Sequence, residues 1–77
     1  MEIKENIIGL ICKVLDVQAQ EVKLDETLYD TLGVDSTEMV ELRVAINKNL
    51  GINLEQSEVT NRQTPNQIIE VVEKKKQ

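Results

Sequence analysis

The 77-residue chain has no histidine, tryptophan or phenylalanine, one cysteine, one proline and a single aromatic residue, Tyr29. Each absence closes off a line of chemistry. Without histidine, neither a Ser–His–Asp triad nor a Cys–His pair can be assembled, so no serine or thiol here has its usual activating base. The lone Cys12 excludes an internal disulfide, is too little for a thiolate zinc site, and fits a reducing, cytoplasmic setting. The start of the chain, Met1-Glu2-Ile3-Lys4-Glu5, lacks a basic segment followed by an apolar block, so no signal peptide is expected. No apolar run approaches the ~18 residues of a membrane span, so no membrane insertion is expected. There is no glycine-rich phosphate cradle, and the acids between Asp25 and Glu41 do not follow the spacing of a calcium loop. The expectation is a protein with no catalytic residues and no metal site.

What the chain does have is branched aliphatic mass: eight Ile, nine Val and eight Leu. That content belongs to a folded globule, and the length allows one domain spanning residues 1–77. The net charge is −5, and it is unevenly placed. From Asp25 to Leu42 there are six acids (Asp25, Glu26, Asp30, Asp35, Glu38, Glu41) and no Lys or Arg, so that window carries −6 and the remainder +1. Clustered acid argues against nucleic acid, and with it a helix-turn-helix DNA binder, because phosphate binding needs clustered Lys and Arg. A local acidic face is either a solvated surface or a docking surface for basic partners.

Apolar spacing organises the rest. Ile3, Ile7, Ile8, Ile11, Val14 and Leu15 predict a first helix over residues 2–15, with Gly9 on its opposite face, Cys12 at the edge of its apolar arc and Lys4 snorkelling. Residues 16–35 form a long connection whose Val17, Val22, Leu24, Leu28 and Leu32 are expected to fold back over the bundle, with a short helical turn at Thr27 to Leu32. Gly33 suits a turn with positive φ, Asp35 caps the next helix, and Glu38 stands at capping-box distance. That second long helix is expected to reach Leu50, with Gly51 as its terminator and Met39, Val40, Leu42, Val44, Ile46 and Leu50 as its apolar side. Arg43 and Asn47 fall within the same arc, which a simple amphipathic pattern does not explain. Glu55 to Val59 reads as one helical turn. Thr64-Pro65 opens a last helix on Ile68, Ile69, Val71 and Val72, and Lys74-Lys75-Lys76 reads as its solvated end.

Ser36 follows Asp35 at the start of the second long helix, inside the most acidic part of the chain. Ser or Asp before an apolar run is the ordinary N-cap signature. The wider arrangement says more. Leu32-Gly33-Val34-Asp35-Ser36, followed by Val40-Glu41-Leu42, resembles the prosthetic-group site of acyl carrier proteins, and the resemblance extends over nearly the whole chain. It implies an all-α fold, a small four-helix bundle with three longer helices and one short one and a long first loop. It also implies a non-enzymatic carrier whose 4′-phosphopantetheine is joined covalently to Ser36 by a phosphopantetheinyl transferase, with Asp35 at the transferase contact. The arm would hold acyl or aminoacyl groups as thioesters for enzymes of fatty-acid or specialised lipid and secondary-metabolite synthesis. Asp35, Thr37, Glu38 and Glu41 would face partners with basic docking patches, and the protein would act as a monomer.

Three positions depart from the family's habit. Thr37 stands where an apolar partner contact is usual, Asn47 and Lys48 replace later acids, and Arg43 and Arg62 stand where fatty-acid carriers place apolar side chains. These departures point to a specialised carrier: either the two arginines snorkel to water with their stems packed, or they make the interior unsuited to a long alkyl chain, so that cargo is short, polar or held outside the bundle. The competing reading from a different class is a helical protein–protein interaction module that uses the acidic face and carries no arm.

Overall fold

The computed structural model describes residues 2–76. Its long helices are α1 (Ile3–Leu15), α3 (Ser36–Leu50) and α4 (Pro65–Lys76), with the short α2 (Leu28–Leu32) between the first two. Single tight turns at Ala19–Glu21 and Gln56–Glu58 break the two long connections, and the described residues contain no strand. The expected small helical bundle, three longer helices and one short, is the observed fold.

One apolar cluster holds it together. Ile7 and Ile11 of α1, Leu42 and Ile46 of α3, and Ile68 and Val72 of α4 are all fully buried, and α1 packs against both α3 and α4. Each pair is spaced by four residues, one helical turn, so the three long helices meet along matching ridges. The long first loop is pinned as its apolar residues require: Leu28 is buried, and Val22 and Leu32 pack on the cluster. Backbone bonds then sew the loop and the start of α2 to the third connection, residues 51–64 between α3 and α4, and to the first turn of α4. Leu28 N–H donates to the Gln63 carbonyl at 3.2 Å, Tyr29 N–H to the Asn61 carbonyl at 2.9 Å, and Asn66 N–H to the Leu24 carbonyl at 3.2 Å.

The helix ends follow local rules. Gly33 and Gly51 close α2 and α3 with φ of 61° and 65°, the left-handed region where a side chain is strained. Asp16 closes α1 in the same region without that freedom, at φ 56°. Thr64 caps α4 reciprocally: Gln67 N–H donates to Thr64 Oγ1 at 3.1 Å and Thr64 N–H to Gln67 Oε1 at 2.8 Å.

One expectation changes in three dimensions. Val40 and Val44 were expected on the apolar side of α3, yet they are 40% and 50% exposed. The core-facing strip of α3 is Met39, Leu42 and Ile46, and the two valines lie beyond Arg43 and Asn47 on the flank. The lysine run at the end of α4 is solvated as expected, and it also makes two contacts. Lys75 Nζ lies 3.0 Å from Glu58 Oε1, and Lys76 Nζ donates to the Leu50 carbonyl at 3.2 Å. The Glu55 N–H, and then Lys75, hold the Glu58 carboxyl below its usual value near 4.5. Because the folded-state pKa is the lower one, this tether is complete above the unfolded value and is lost as pH falls through the folded one.

Gly9 offers a direct check of the helix argument. It is exposed on α1, and a Cβ built there meets nothing within 4 Å. Gly9→Ala should therefore stabilise the fold by about 1 kcal/mol, the propensity difference in a helix interior. Urea denaturation measures this. A destabilised variant would mean that α1 does not present this face to open solvent.

Candidate functional site

The chain enters α3 through a sequence of fixed points. Gly33 turns it in the left-handed region, and its N–H donates to the Tyr29 carbonyl at 3.0 Å. Val34 is then buried, and its carbonyl accepts from Asn61 Nδ2 at 2.6 Å, tying the approach to the third connection. Asp35 is extended and forms a full capping box with Glu38. Glu38 N–H donates to Asp35 Oδ1 at 2.8 Å and Asp35 N–H to Glu38 Oε1 at 3.1 Å.

This division of labour matters for Ser36. Capping falls to Asp35, so the Ser36 hydroxyl is not consumed by the local structure. Ser36 is the first residue of α3 and is exposed. A hydroxyl is thus held at a rigid position with its oxygen in solvent. The start of a 15-residue helix favours a negative group there, through unpaired N–H groups and the macrodipole. A phosphate ester on Ser36 fits these surroundings. With no histidine in the chain, the hydroxyl lacks its usual activating base.

The residues expected to dock partners gather round it. Asp35, Thr37 and Glu41 are exposed, and Glu38 is half-buried with its carboxylate engaged in the capping box. Sequence reasoning missed Val40 and Val44. One and two turns beyond Ser36, they give the acidic face an exposed apolar ridge. The signal was present in Arg43 and Asn47, since two polar residues inside an apolar arc mark where it leaves the core.

Arg43 and Asn47 have a shared task. Asn47 Oδ1 accepts the Leu54 N–H at 2.8 Å and its Nδ2 donates to the Leu54 carbonyl at 3.4 Å. Arg43 Nη1 donates to the same carbonyl at 3.2 Å. Leu54 is buried, so these side chains satisfy a backbone that has left helix geometry inside the core. Arg62 behaves differently. It is exposed, with its guanidinium 5.3 Å from the centre of the Tyr29 ring, so it does not line the interior as its place in the sequence suggested.

Next to Ser36 a groove of about 110 Å³ runs between α3 and the third connection. Met39, Val40 and Val59 contribute apolar surface, and Arg43, Gln56, Thr60 and Asn61 polar surface.

Comparison with known proteins gives a consistent result. Residues 5–72 match a family model described as a phosphopantetheine attachment site. The acyl carrier protein of Amoebophilus asiaticus is 31% identical over 74 residues, covering 96% of this chain and 92% of its own length. That of Solidesulfovibrio magneticus is 32% identical over 76 residues, covering 99% and 97%, and that of Campylobacter hominis 34% over 58 residues, covering 75% and 73%.

Proposed function

Since the chain belongs to the acyl carrier protein family, we propose that Ser36 is the residue that bears its 4′-phosphopantetheine and that α3 is the face it offers to partner enzymes. The protein is a carrier and not a catalyst, and the covalently attached arm supplies a terminal thiol that holds acyl groups as thioesters. The observation that carries the assignment to Ser36 is the cap. Asp35 and Glu38 satisfy each other, which leaves an exposed hydroxyl at a fixed helix start with no structural duty. Loading the apo protein from coenzyme A and mapping the modified peptide tests this. An arm found on any residue other than Ser36 overturns it, and an unchanged mass would favour an interaction module without an arm.

The partners are the phosphopantetheinyl transferase and acyl-transferring or synthase enzymes with basic docking patches. Asp35 and Glu41 supply charge, and Thr37, Val40 and Val44 supply contact surface. Such a face speeds encounter while leaving the complex weak enough to release its cargo. Thr37 and Arg43 support a role in specialised lipid or secondary-metabolite synthesis more than in bulk fatty-acid synthesis. No described helix is long and apolar enough to cross a membrane.

Charge reversal checks the docking face. Glu41→Lys should slow association with the transferase by about tenfold at low salt, with a smaller effect on dissociation, and added salt should erase most of the difference. Stopped-flow kinetics at two ionic strengths reads both. Association independent of salt in the wild type would remove electrostatic steering from the account.

A further inference from the structure

The groove beside Ser36 contains a charge that the fold does not neutralise. Arg43 is half-buried and uses one N–H of its guanidinium on the Leu54 carbonyl. Among the described residues no carboxylate lies within 4 Å of it, although the chain has an excess of acids. A guanidinium has five donors, and a partly desolvated one with donors to spare suits a planar acceptor of opposite charge. Holding the loop does not by itself require that charge, because Asn47 already bonds both polar groups of Leu54.

Resting on the assignment of the arm to Ser36, we propose that this groove receives the acyl group and selects short acyl groups that end in a carboxylate, with Arg43 as the partner of that carboxylate. Reach and lining agree. Arg43 lies seven residues beyond Ser36, about 10 Å along the helix axis at a rise of about 1.5 Å per residue. A pantetheine arm runs about thirteen bonds from phosphorus to sulfur, about 16 Å when extended, so it reaches past that distance and brings the thioester to the guanidinium when bent back along the groove. The lining is wrong for a long alkyl chain. Met39, Val40 and Val59 can pack a few methylenes, but Arg43 is part of the same lining, and burying hydrocarbon against it would strip water from the guanidinium without replacing its hydrogen bonds.

The experiment compares two four-carbon acyl groups that differ only at the far end, with an eight-carbon chain as the test of sequestration in the core. Arm attachment is first confirmed by intact mass and peptide mapping, so that failure at that stage counts against the Ser36 assignment alone. The holo protein is then loaded with succinyl, butyryl or octanoyl groups, and each form is followed by thermal melting and by the NMR signal of the Arg43 Nε–H. The succinyl form should melt about 5 °C above both the butyryl form and the unloaded holo protein, and it should shift the Arg43 signal. In Arg43→Met, which keeps the stem and removes the charge, the succinyl advantage should vanish. Equal melting of the succinyl and butyryl forms in the wild type overturns the proposal whatever the variant does. So does a largest gain from octanoyl accompanied by shifts at Ile7 and Ile46, or a succinyl advantage that survives in Arg43→Met.

Discussion

Ser36→Ala protein incubated with coenzyme A, magnesium and a phosphopantetheinyl transferase should gain no mass, while the wild type gains a single arm. The reaction joins the hydroxyl oxygen to the phosphorus of the pantetheine half of coenzyme A, and the adenosine bisphosphate half leaves. The hydroxyl proton goes to a base that the proposal places on the transferase, since this chain has no histidine. Alanine removes the only atom that can form the new bond at this position, so the expected loss is complete rather than graded. The same substitution should barely affect folding. The cap of α3 is Asp35, and Ser36 is exposed, so the cost should stay within about 0.5 kcal/mol. Asp35→Ala, by contrast, should cost about 0.5–2 kcal/mol. Residual modification of the Ala variant, or a Ser36→Ala protein as destabilised as Asp35→Ala, would show that the hydroxyl has been given the wrong role.

The largest effect on stability is expected at Asn47. Its amide meets both polar groups of Leu54, a residue only 1% exposed. Truncation to Ala leaves the Leu54 N–H without its acceptor, and an orphaned buried donor costs about 1–3 kcal/mol. In a domain this small that corresponds to a fall in melting temperature of roughly 10 °C. Arg43 cannot compensate, since a guanidinium only donates and so can serve the Leu54 carbonyl but not the N–H. Asn47→Asp makes the test specific. A carboxylate keeps an acceptor for the N–H, so Asp should retain more stability than Ala. If Ala and Asp are equally damaging, or if Ala is harmless, the bond to the Leu54 N–H contributes little.

What could be read from the sequence was local in origin. The Asp35–Glu38 box, the Thr64-Pro65 start and the ends at Gly33 and Gly51 each depend on residues within one helical turn, and a linear chain displays those spacings directly. The apolar fours at Ile7/Ile11, Leu42/Ile46 and Ile68/Val72 did the same for the three long helices. The motif from Leu32 to Ser36 carried the resemblance on which the function rests, because a phosphopantetheine site is one short segment. It is not assembled from distant parts.

The tertiary structure decided which polar and apolar side chains exchange places, and each such case joins residues far apart in the chain. Val40 and Val44 looked like core because apolar character alone does not say where a helix stops touching its neighbours. They are exposed because Arg43 and Asn47, one step round the helix, are claimed by the Leu54 backbone. Arg62 lies exposed over Tyr29, and Lys75, still exposed, pairs with Glu58. A polar residue within an apolar arc tells the reader that some partner must exist, since burial without one is too costly, but only the packing of separate segments can say which backbone or ring it meets. By itself, then, the sequence determined the helices, their caps and the serine presented at the start of α3. The groove beside that serine, with its unpaired arginine, exists only once α3 and the third connection are brought together.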